Sequence, residues 1–419
     1  MIETVRPENE EIVITGVGIV SSIGIGKEAF WEGLNEGRSG IKPITQFDTS
    51  KLNSKLGGEV TNFKPDDILG PKGLRNYDRC IGLALSASKL ALQDGSLTVN
   101  AANSSNFGVV LGTSLGGIKT ISEIDKQSMR EGPRSLDPGL CPNVVLCSPA
   151  SQISIRFGIK GFTTTVSAGF NSSYYAFRYG LDLLKSNRGI KYLLVGAVEE
   201  FCEQVFKGFY CLGYLSGSRN GYAEINAPYD RRRNGFILGE GAVMFILESK
   251  DDALRRGAKV YARINEYGEQ FVHCSSQYSL QHSLRHAQEI VNRLPPKLRN
   301  RLNEIDFVSL GANSSVLGDA LESQLMRRLF TEREYYPETG VIKSLVGESY
   351  SAGGCFQLLG ALYALDQGQG FLTTGSHLED ERCPAPFLAK QNMKRNIRKA
   401  LIWGVGYGRS NHYLICDRV

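Results

Sequence analysis

The segment TTTVSAGFNSSYYAF (residues 163–177) has the pattern of a strand, a sharp turn and a helix. The four β-branched residues TTTV are followed by the small residues SAG, and apolar residues then recur at helical spacing from Ser172 onward. A strand-to-helix turn of this kind often presents a nucleophile at the end of a sheet. The turn residue here is Gly169, which carries no side chain. The segment therefore predicts a nucleophile turn without a nucleophile.

Strands and helices alternate on both sides of this turn. Apolar runs typical of buried strands occur at residues 11–20, 107–112 and 191–200. Apolar residues recur at helical spacing at residues 79–95 and 352–368. This alternation predicts an α/β fold in which helices cover mostly buried sheets.

A weak internal similarity indicates that the chain has two related halves. The segments FGVVLGTS (107–114) and DFVSLGANS (306–314) resemble each other, and the strand–helix pattern restarts near residue 250. We therefore predict an N-terminal half at residues 11–250 and a C-terminal half at residues 251–419. The two halves are expected to form one compact unit.

The composition is typical of a globular protein with a large core. Of the 419 residues, 42% are hydrophobic and 22% are charged, and the formal net charge is +5. This charge does not indicate a nucleic-acid partner, although it suits an acidic protein partner. The nine cysteines form no CxxC pair, which predicts reduced thiols in a cytoplasmic protein. Neither an apolar run of roughly 18 residues nor a histidine motif occurs, so we expect no membrane span, metal or cofactor.

Seven segments with the character of functional motifs follow one another along the chain. They are GRSGIKPITQFDTS (37–50), VVLGTSLGG (109–117), VSAGFNSS (166–173), PYDRRRNGFILGEGA (228–242), GANSSVLGDALES (311–323), KSLVGESYSAGG (343–354) and GVGYGRSN (404–411). In order and spacing they resemble the β-ketoacyl-(acyl carrier protein) synthases, or ketosynthases, from about residue 11 to the C-terminus. The resemblance implies a thiolase-like fold, a five-layered α-β-α-β-α sandwich of two related halves that acts as a dimer.

The resemblance also implies a reaction and the residues that perform it. In the family a cysteine holds the acyl chain as a thioester, two histidines stabilise the enolate formed when malonyl loses CO₂, and a lysine supports the site. Here Gly169 stands at the cysteine position, Gly311 at the first histidine and Glu348 at the second. Lys343 is retained. Because all three reacting groups are missing, we expect no competent β-ketoacyl synthase activity from this chain alone.

Other positions match the family or suit an acyl tunnel. Glu240 stands at an acidic family position, and Tyr407 lies in the glycine-rich gating turn, where phenylalanine is usual. The bulky residues Phe170, Tyr174 and Tyr175 around the turn are candidates for limiting the length of a tunnel.

The resemblance is nearest to the catalytically degenerate chain-length-factor subunits of type II polyketide and aryl-polyene synthases. Those subunits lack the cysteine and pair with an active ketosynthase as a heterodimer. Many of them carry glutamine at the cysteine position, whereas this chain has Gly169. The implied partners are therefore an active ketosynthase and an acyl carrier protein with its phosphopantetheine arm. The implied function is to shape the acyl tunnel for chain elongation.

Two further functions stay open at this point. One is a ketosynthase-like acyltransferase that joins an acyl thioester to an amine or alcohol without a covalent intermediate, with Glu348 as general base. The other is a homodimeric scaffold that binds an acyl chain. A structural use of Glu348 is its pairing with Lys343, five residues earlier.

Serine and cysteine side chains near the turn are alternative nucleophiles. Ser167, Ser172 and Ser173 flank Gly169, but no histidine in a matching motif would serve as their base. Cys355 lies close to SAGG, and its expected role is packing.

Overall fold

The computed structural model describes residues 10–73, 77–186, 188–272, 280–330, 336–388, 396–406 and 410–419. The strands are β1 Ile12–Ser21, β2 Gly24–Ile25, β3 Lys42–Pro43, β4 Leu56–Gly57, β5 Phe107–Gly112, β6 Thr163–Val166, β7 Tyr192–Glu199, β8 Gly241–Ser249, β9 Ala262–Phe271, β10 Phe307–Ser309, β11 Glu338–Gly340, β12 Lys399–Val405 and β13 Ser410–Asp417. The helices are α1 Lys27–Glu36, α2 Pro65–Leu69, α3 Arg79–Asp94, α4 Ile118–Glu131, α5 Ser148–Phe157, α6 Ser172–Lys185, α7 Glu203–Cys211, α8 Lys250–Arg255, α9 Leu280–Asn292, α10 Pro296–Arg301, α11 Val316–Leu329, α12 Lys343–Val346 and α13 Gly353–Gln367.

The main strands form two half-sheets that share one hydrogen-bonded path. The first has the order β6-β5-β7-β8-β1, with β5 parallel to β6 and β7, and with β8 antiparallel to β7 and β1. The second has the order β9-β13-β12-β10-β11, with β10 parallel to β11 and β12. Three residues of β1, starting at Ile12, also pair with β9 and join the half-sheets.

Helices cover both half-sheets and fill the space between them. α3 and α5 pack on the outer face of the first half-sheet, and α6 and α13 lie between the two half-sheets. α9 and α11 pack against each other and share a separate hydrophobic cluster with β10, β12 and β13. Among the described elements the layer order is therefore α-β-α-β-α, which confirms the predicted five-layered fold. The boundary between the halves at residue 250 stays a prediction.

The central position of α13 follows from its sequence. GGCFQLLGALYALDQ is apolar on nearly every face, and its residues from Gly353 to Leu365 are all buried. A helix that is hydrophobic all round must be enclosed on all sides. The middle layer of this fold provides such a position.

Close backbone packing holds α3 on the first half-sheet. A Cβ built on Gly18 of β1 would lie 1.9 Å from the carbonyl oxygen of Ala87 in α3, so only glycine allows this approach. The helix begins where Asp78 accepts a hydrogen bond from the N–H of Ile81, and Gly95 follows its last residue. Tight glycine contacts of this kind set the distance between the layers.

Two general properties of the described residues complete the fold. None of the helices in these ranges combines the length and apolarity needed to cross a bilayer. The eight described cysteines are free thiols, of which Cys80, Cys202, Cys355, Cys383 and Cys416 are buried.

Candidate active site

The turn predicted at Gly169 is present in the structure. β6 ends at Val166, and α6 begins at Ser172 after one turn of 3-10 helix. Gly169 has a φ of 59°, in the left-handed region that favours glycine. Its N–H donates to Ser114 Oγ at 3.0 Å, and its carbonyl oxygen accepts from Ser172 Oγ at 2.7 Å. The turn thus keeps a fixed shape, although residue 169 has no side chain to present.

Segments from both halves meet in one small cavity beside this turn. Gly311 follows β10, Lys343 opens α12, and Glu348 follows α12, and all three line the cavity. Phe170 and Tyr174 line it from the first half. Its volume is about 40 Å³, enough for about three water molecules. The fold therefore brings together the positions that the resemblance singled out, in a space too small for an acyl chain.

Glu348 is buried and fully hydrogen-bonded. Its Oε2 lies 2.8 Å from Lys343 Nζ and accepts a hydrogen bond from Asn313 Nδ2 at 2.7 Å. Its Oε1 accepts from the backbone N–H of Tyr350 at 3.0 Å. The carboxylate is 1% exposed, so the ion pair is shielded from solvent. The predicted pairing of Glu348 with Lys343 is confirmed.

A second buried carboxyl group in the cavity, Glu322, was missed at the level of the sequence. It lies on α11, accepts from the N–H of Gly311 at 2.7 Å and also accepts from the hydroxyl of Tyr229. Burial raises the pKa of Glu322 to about 7. The available signal was its spacing from Asp319, because acids three residues apart share one helix face, and here that face is buried.

The raised pKa predicts a specific pH dependence of stability. Between the ordinary pKa of 4.5 and about 7, folded Glu322 keeps a proton that the unfolded chain has released, so stability falls as the pH rises. Glu322→Gln removes this titration. From pH 5 to pH 7.5, the wild type should lose about 2 kcal/mol more unfolding free energy than the variant. Urea unfolding of both chains measures the difference, and equal pH slopes would contradict it.

The aromatic candidates have different surroundings. Phe170 lines the cavity, and its ring also contacts Phe209 and Phe236 edge-on at 6.4 and 6.2 Å. Tyr174 is buried, donates its hydroxyl to Gln357 Oε1 at 2.9 Å and stacks on His412. These two side chains can therefore limit the space beside the turn.

Tyr175 is not among the residues that line this cavity. The Tyr175 ring contacts His412 edge-on, with centroids 4.6 Å apart, and therefore meets the same imidazole as Tyr174. Burial lowers the pKa of His412 to about 4, so this imidazole is neutral at physiological pH. A tunnel role for Tyr175 stays a prediction. Tyr407, the candidate for the gating turn, lies outside the described residues.

Glu240 is a structural carboxylate and does not line the cavity. It is fully buried and binds Arg79 through both carboxylate oxygens, at 2.6 and 2.7 Å. It also accepts from the N–H groups of Val60 and Phe201 and from Gln46 Nε2. The retained acid therefore holds the start of α3 and the segments around Gln46, Val60 and Phe201 together.

The flanking serines lack the partners of an activated nucleophile. Ser172 Oγ bonds to the backbone of Ala168 and Gly169 and to the hydroxyl of Ser114, none of which is a base. Ser173 is fully buried, whereas Ser167 is exposed. These contacts stabilise the turn and assign no catalytic role to the serines.

Cys355 is also unsuited to nucleophilic attack. The thiol is fully buried in α13, and burial raises its pKa well above the ordinary value for cysteine. Its location within the middle layer agrees with the expected packing role.

Family models match most of the chain. Residues 9–253 match the model of the β-ketoacyl synthase N-terminal domain, and residues 261–375 match that of the C-terminal domain. The chain belongs to the β-ketoacyl synthase family. The family of the sequence-based resemblance is thereby confirmed.

Individual β-ketoacyl synthases resemble the chain along its whole length. The 3-oxoacyl-[acyl-carrier-protein] synthase 2 of Coxiella burnetii is 25% identical over 98% of this chain and 99% of its own length. The tetracenomycin polyketide synthase ketoacyl synthase alpha subunit of Streptomyces glaucescens is 27% identical, with 96% of each chain covered. The structure described as the ishigamide ketosynthase/chain length factor superposes with a TM-score of 0.84, at 25% identity over 98% of this chain and 99% of that one.

Within this β-ketoacyl synthase fold, the charged groups that line the cavity are bonded to other protein groups. No thiol or imidazole occurs among the described residues that line it. Lys343, its cation, is bonded to Glu348, and the carboxyl group of Glu322 is held by Gly311 and Tyr229. An enolate forming here would face carboxyl groups in place of hydrogen-bond donors. The arrangement suits structural stability better than acyl transfer.

Proposed function

We propose that this chain is the non-catalytic, chain-length-factor-like subunit of a ketosynthase heterodimer. The observation that carries the proposal is the replacement of all three reacting groups within an intact fold: Gly311 and Glu348 line the cavity, and Gly169 lies in the turn beside it. Glu348 is bonded to Lys343, so the remaining cation is already neutralised. The active partner would supply the cysteine and both histidines, and this subunit would shape the distal part of the acyl tunnel.

The kinds of protein that resemble the chain support this proposal. One relative is named as the alpha subunit of a polyketide ketoacyl synthase, and one similar structure is described as a ketosynthase/chain length factor. Relatives of the 3-oxoacyl-[acyl-carrier-protein] synthase 2 class are matched as well, so elongation on a carrier protein is the shared chemistry. We infer an acyl carrier protein as the second partner, delivering its phosphopantetheine arm to the active subunit.

The edge strand β6 offers a surface for the partner subunit. Among the described strands it pairs only with β5, and the N–H groups of Val109 and Thr113 donate to the carbonyl oxygens of Phe162 and Val166. In a parallel pair, the backbone groups of the intervening Thr165 then point away from β5. An unpaired edge of this kind can accept a strand from another chain. We propose that the active ketosynthase binds along this edge.

Co-expression with the cognate ketosynthase tests the proposal. A tagged ketosynthase should retain this chain in a 1:1 complex through affinity purification and gel filtration. Thr165→Pro removes an outward N–H and should weaken the complex about tenfold or more, while circular dichroism of the isolated variant controls for its fold. A stable homodimer of this chain that ignores the ketosynthase would contradict the proposed function.

The two alternative functions receive less support from the geometry. As a general base, Glu348 would need a free carboxylate oxygen, but both oxygens accept hydrogen bonds from protein groups. An acyl-chain scaffold would need room for the chain, but the cavity beside the turn has a volume of only about 40 Å³.

A further inference from the structure

The side chain of Tyr350 lies where a nucleophile at position 169 would project. A Cβ built on Gly169 would come 3.2 Å from the Tyr350 hydroxyl oxygen and 3.8 Å from the ring carbon that bears it. The first distance is shorter than ordinary van der Waals contact, before any sulfur atom is added. The space in front of the turn is therefore already filled by Tyr350.

The protein holds Tyr350 in this position against its backbone preference. Tyr350 has a φ of 49°, a left-handed conformation that is rare for aromatic residues and persists only when the surroundings impose it. Its N–H donates to Glu348 Oε1 at 3.0 Å. Its ring contacts Phe170 and Phe209 edge-on, with centroids 4.5 and 5.5 Å apart. Backbone and side chain are thus fixed by separate contacts.

Glu348 links this tyrosine to the ion pair in the cavity. One of its carboxylate oxygens binds Lys343 and Asn313, and the other binds the N–H of Tyr350. The positions of Gly169, Glu348 and Tyr350 therefore depend on one another. The glycine leaves space for the tyrosine hydroxyl, and the glutamate holds the tyrosine backbone.

We propose that Tyr350 is a plug that closes the turn at Gly169 to thiol-bearing ligands, and that Glu348 is the residue that positions it. The choice of excluded ligand, the phosphopantetheine arm of a carrier protein, rests on the proposed function. The plug would prevent a carrier from being loaded onto the wrong subunit. A growing chain would then approach the complex only through the active partner.

Chemical labelling of the full-length chain tests the plug. A thiol is introduced with Gly169→Cys, alone and together with Tyr350→Gly or Tyr350→Phe, and its reaction with iodoacetamide is followed by mass spectrometry of the peptide. Glycine at position 350 accepts the positive φ, and phenylalanine keeps the ring without the hydroxyl. Exposed Cys141 in the same chains is the internal control.

We expect the introduced thiol to react about tenfold or more slowly when Tyr350 is present than when it is replaced by glycine. Phenylalanine should give an intermediate rate, while Cys141 reacts at one rate throughout. Equal rates with tyrosine and glycine at position 350 would overturn the proposal. Because no partner protein is present, this result is independent of whether the chain binds a ketosynthase.

A second measurement covers the case in which the cysteine variant does not fold. Gly169→Ala should lower the urea midpoint more in the wild-type background than in the Tyr350→Phe background, because only the hydroxyl lies within 3.2 Å of the added Cβ. The cost of the positive φ is the same in both backgrounds and cancels. Equal shifts of the midpoint would show that Tyr350 does not occupy this space.

Discussion

The Lys343→Met variant should be about 3–5 kcal/mol less stable than the wild type. Lys343 Nζ lies 2.8 Å from Glu348 Oε2, and Glu348 is 1% exposed. Removing the cation leaves a buried carboxylate with two neutral donors, Asn313 Nδ2 and the N–H of Tyr350. Those donors cannot replace the charge, because desolvation of an ion in a protein interior costs several kcal/mol.

Urea unfolding at a fixed pH measures this loss, and two variants control it. Lys343→Met/Glu348→Gln removes both charges and should recover most of the lost stability. Arg178→Met breaks ion pairs with Asp182 and Glu269 that lie at the surface, and it should cost about 1 kcal/mol or less. A loss for Lys343→Met as small as that for Arg178→Met would contradict the buried ion pair. So would a double variant as unstable as the single one.

The pairing of Lys343 with Glu348 gives one physical reason for the proposed lack of condensation activity. A developing enolate needs donors and positive potential, whereas Glu348 brings a full negative charge and neutralises the nearest cation. The same carboxylate holds the backbone of Tyr350, whose hydroxyl fills the space in front of Gly169. The substitution that removes a catalytic donor thus also contributes to closing the turn.

Local patterns were sufficient to predict buried strands covered by helices and the turn at Gly169, whereas the order of the five layers was implied by the family resemblance. The apolar sequence of α13 requires a fully enclosed helix, and the fully buried β1 follows from an apolar run at residues 11–20. The turn at Gly169 follows from a β-branched strand, small residues and a helical pattern within fifteen residues. Each of these signals lies within a short continuous segment, so it can be recognised without knowledge of tertiary contacts.

The residues that the sequence did not reveal depend on contacts between distant segments. The Tyr350 hydroxyl lies in front of Gly169, although the two residues are far apart in the sequence. Nothing in the local sequence indicates that the backbone of Tyr350 has a left-handed conformation. Burial of Glu322 raises its pKa, while the hydrogen bonds from Tyr229 and from the N–H of Gly311 lower it, and all of these effects depend on distant segments. Neighbours on a helix point about 100° apart, so Tyr174 lines the cavity while Tyr175 is not among its lining residues, and a tunnel role for Tyr175 stays a prediction.

Introducing the missing nucleophile alone should not produce a ketosynthase. We expect condensation by Gly169→Cys to stay at least about 10⁴-fold below that of an active family member. The variant would still lack both donors for the enolate, because Gly311 has no side chain and Glu348 is an acceptor. The hydroxyl of Tyr350 would also crowd the new side chain.

Product formation from labelled malonyl and acyl carrier proteins measures this activity in the isolated chain. Mass spectrometry of the intact variant first establishes that the thiol is present and free. The triple variant Gly169→Cys/Gly311→His/Glu348→His restores all three family residues and is therefore the strictest test. Its condensation activity should remain far below that of an active family member. A side chain at position 311 would crowd Gln357 Nε2, 3.3 Å from the added Cβ, and loss of Glu348 leaves Lys343 unpaired. Unaided condensation by the wild type or the single variant would refute the non-catalytic assignment, because the chemistry would then proceed without the groups on which it depends.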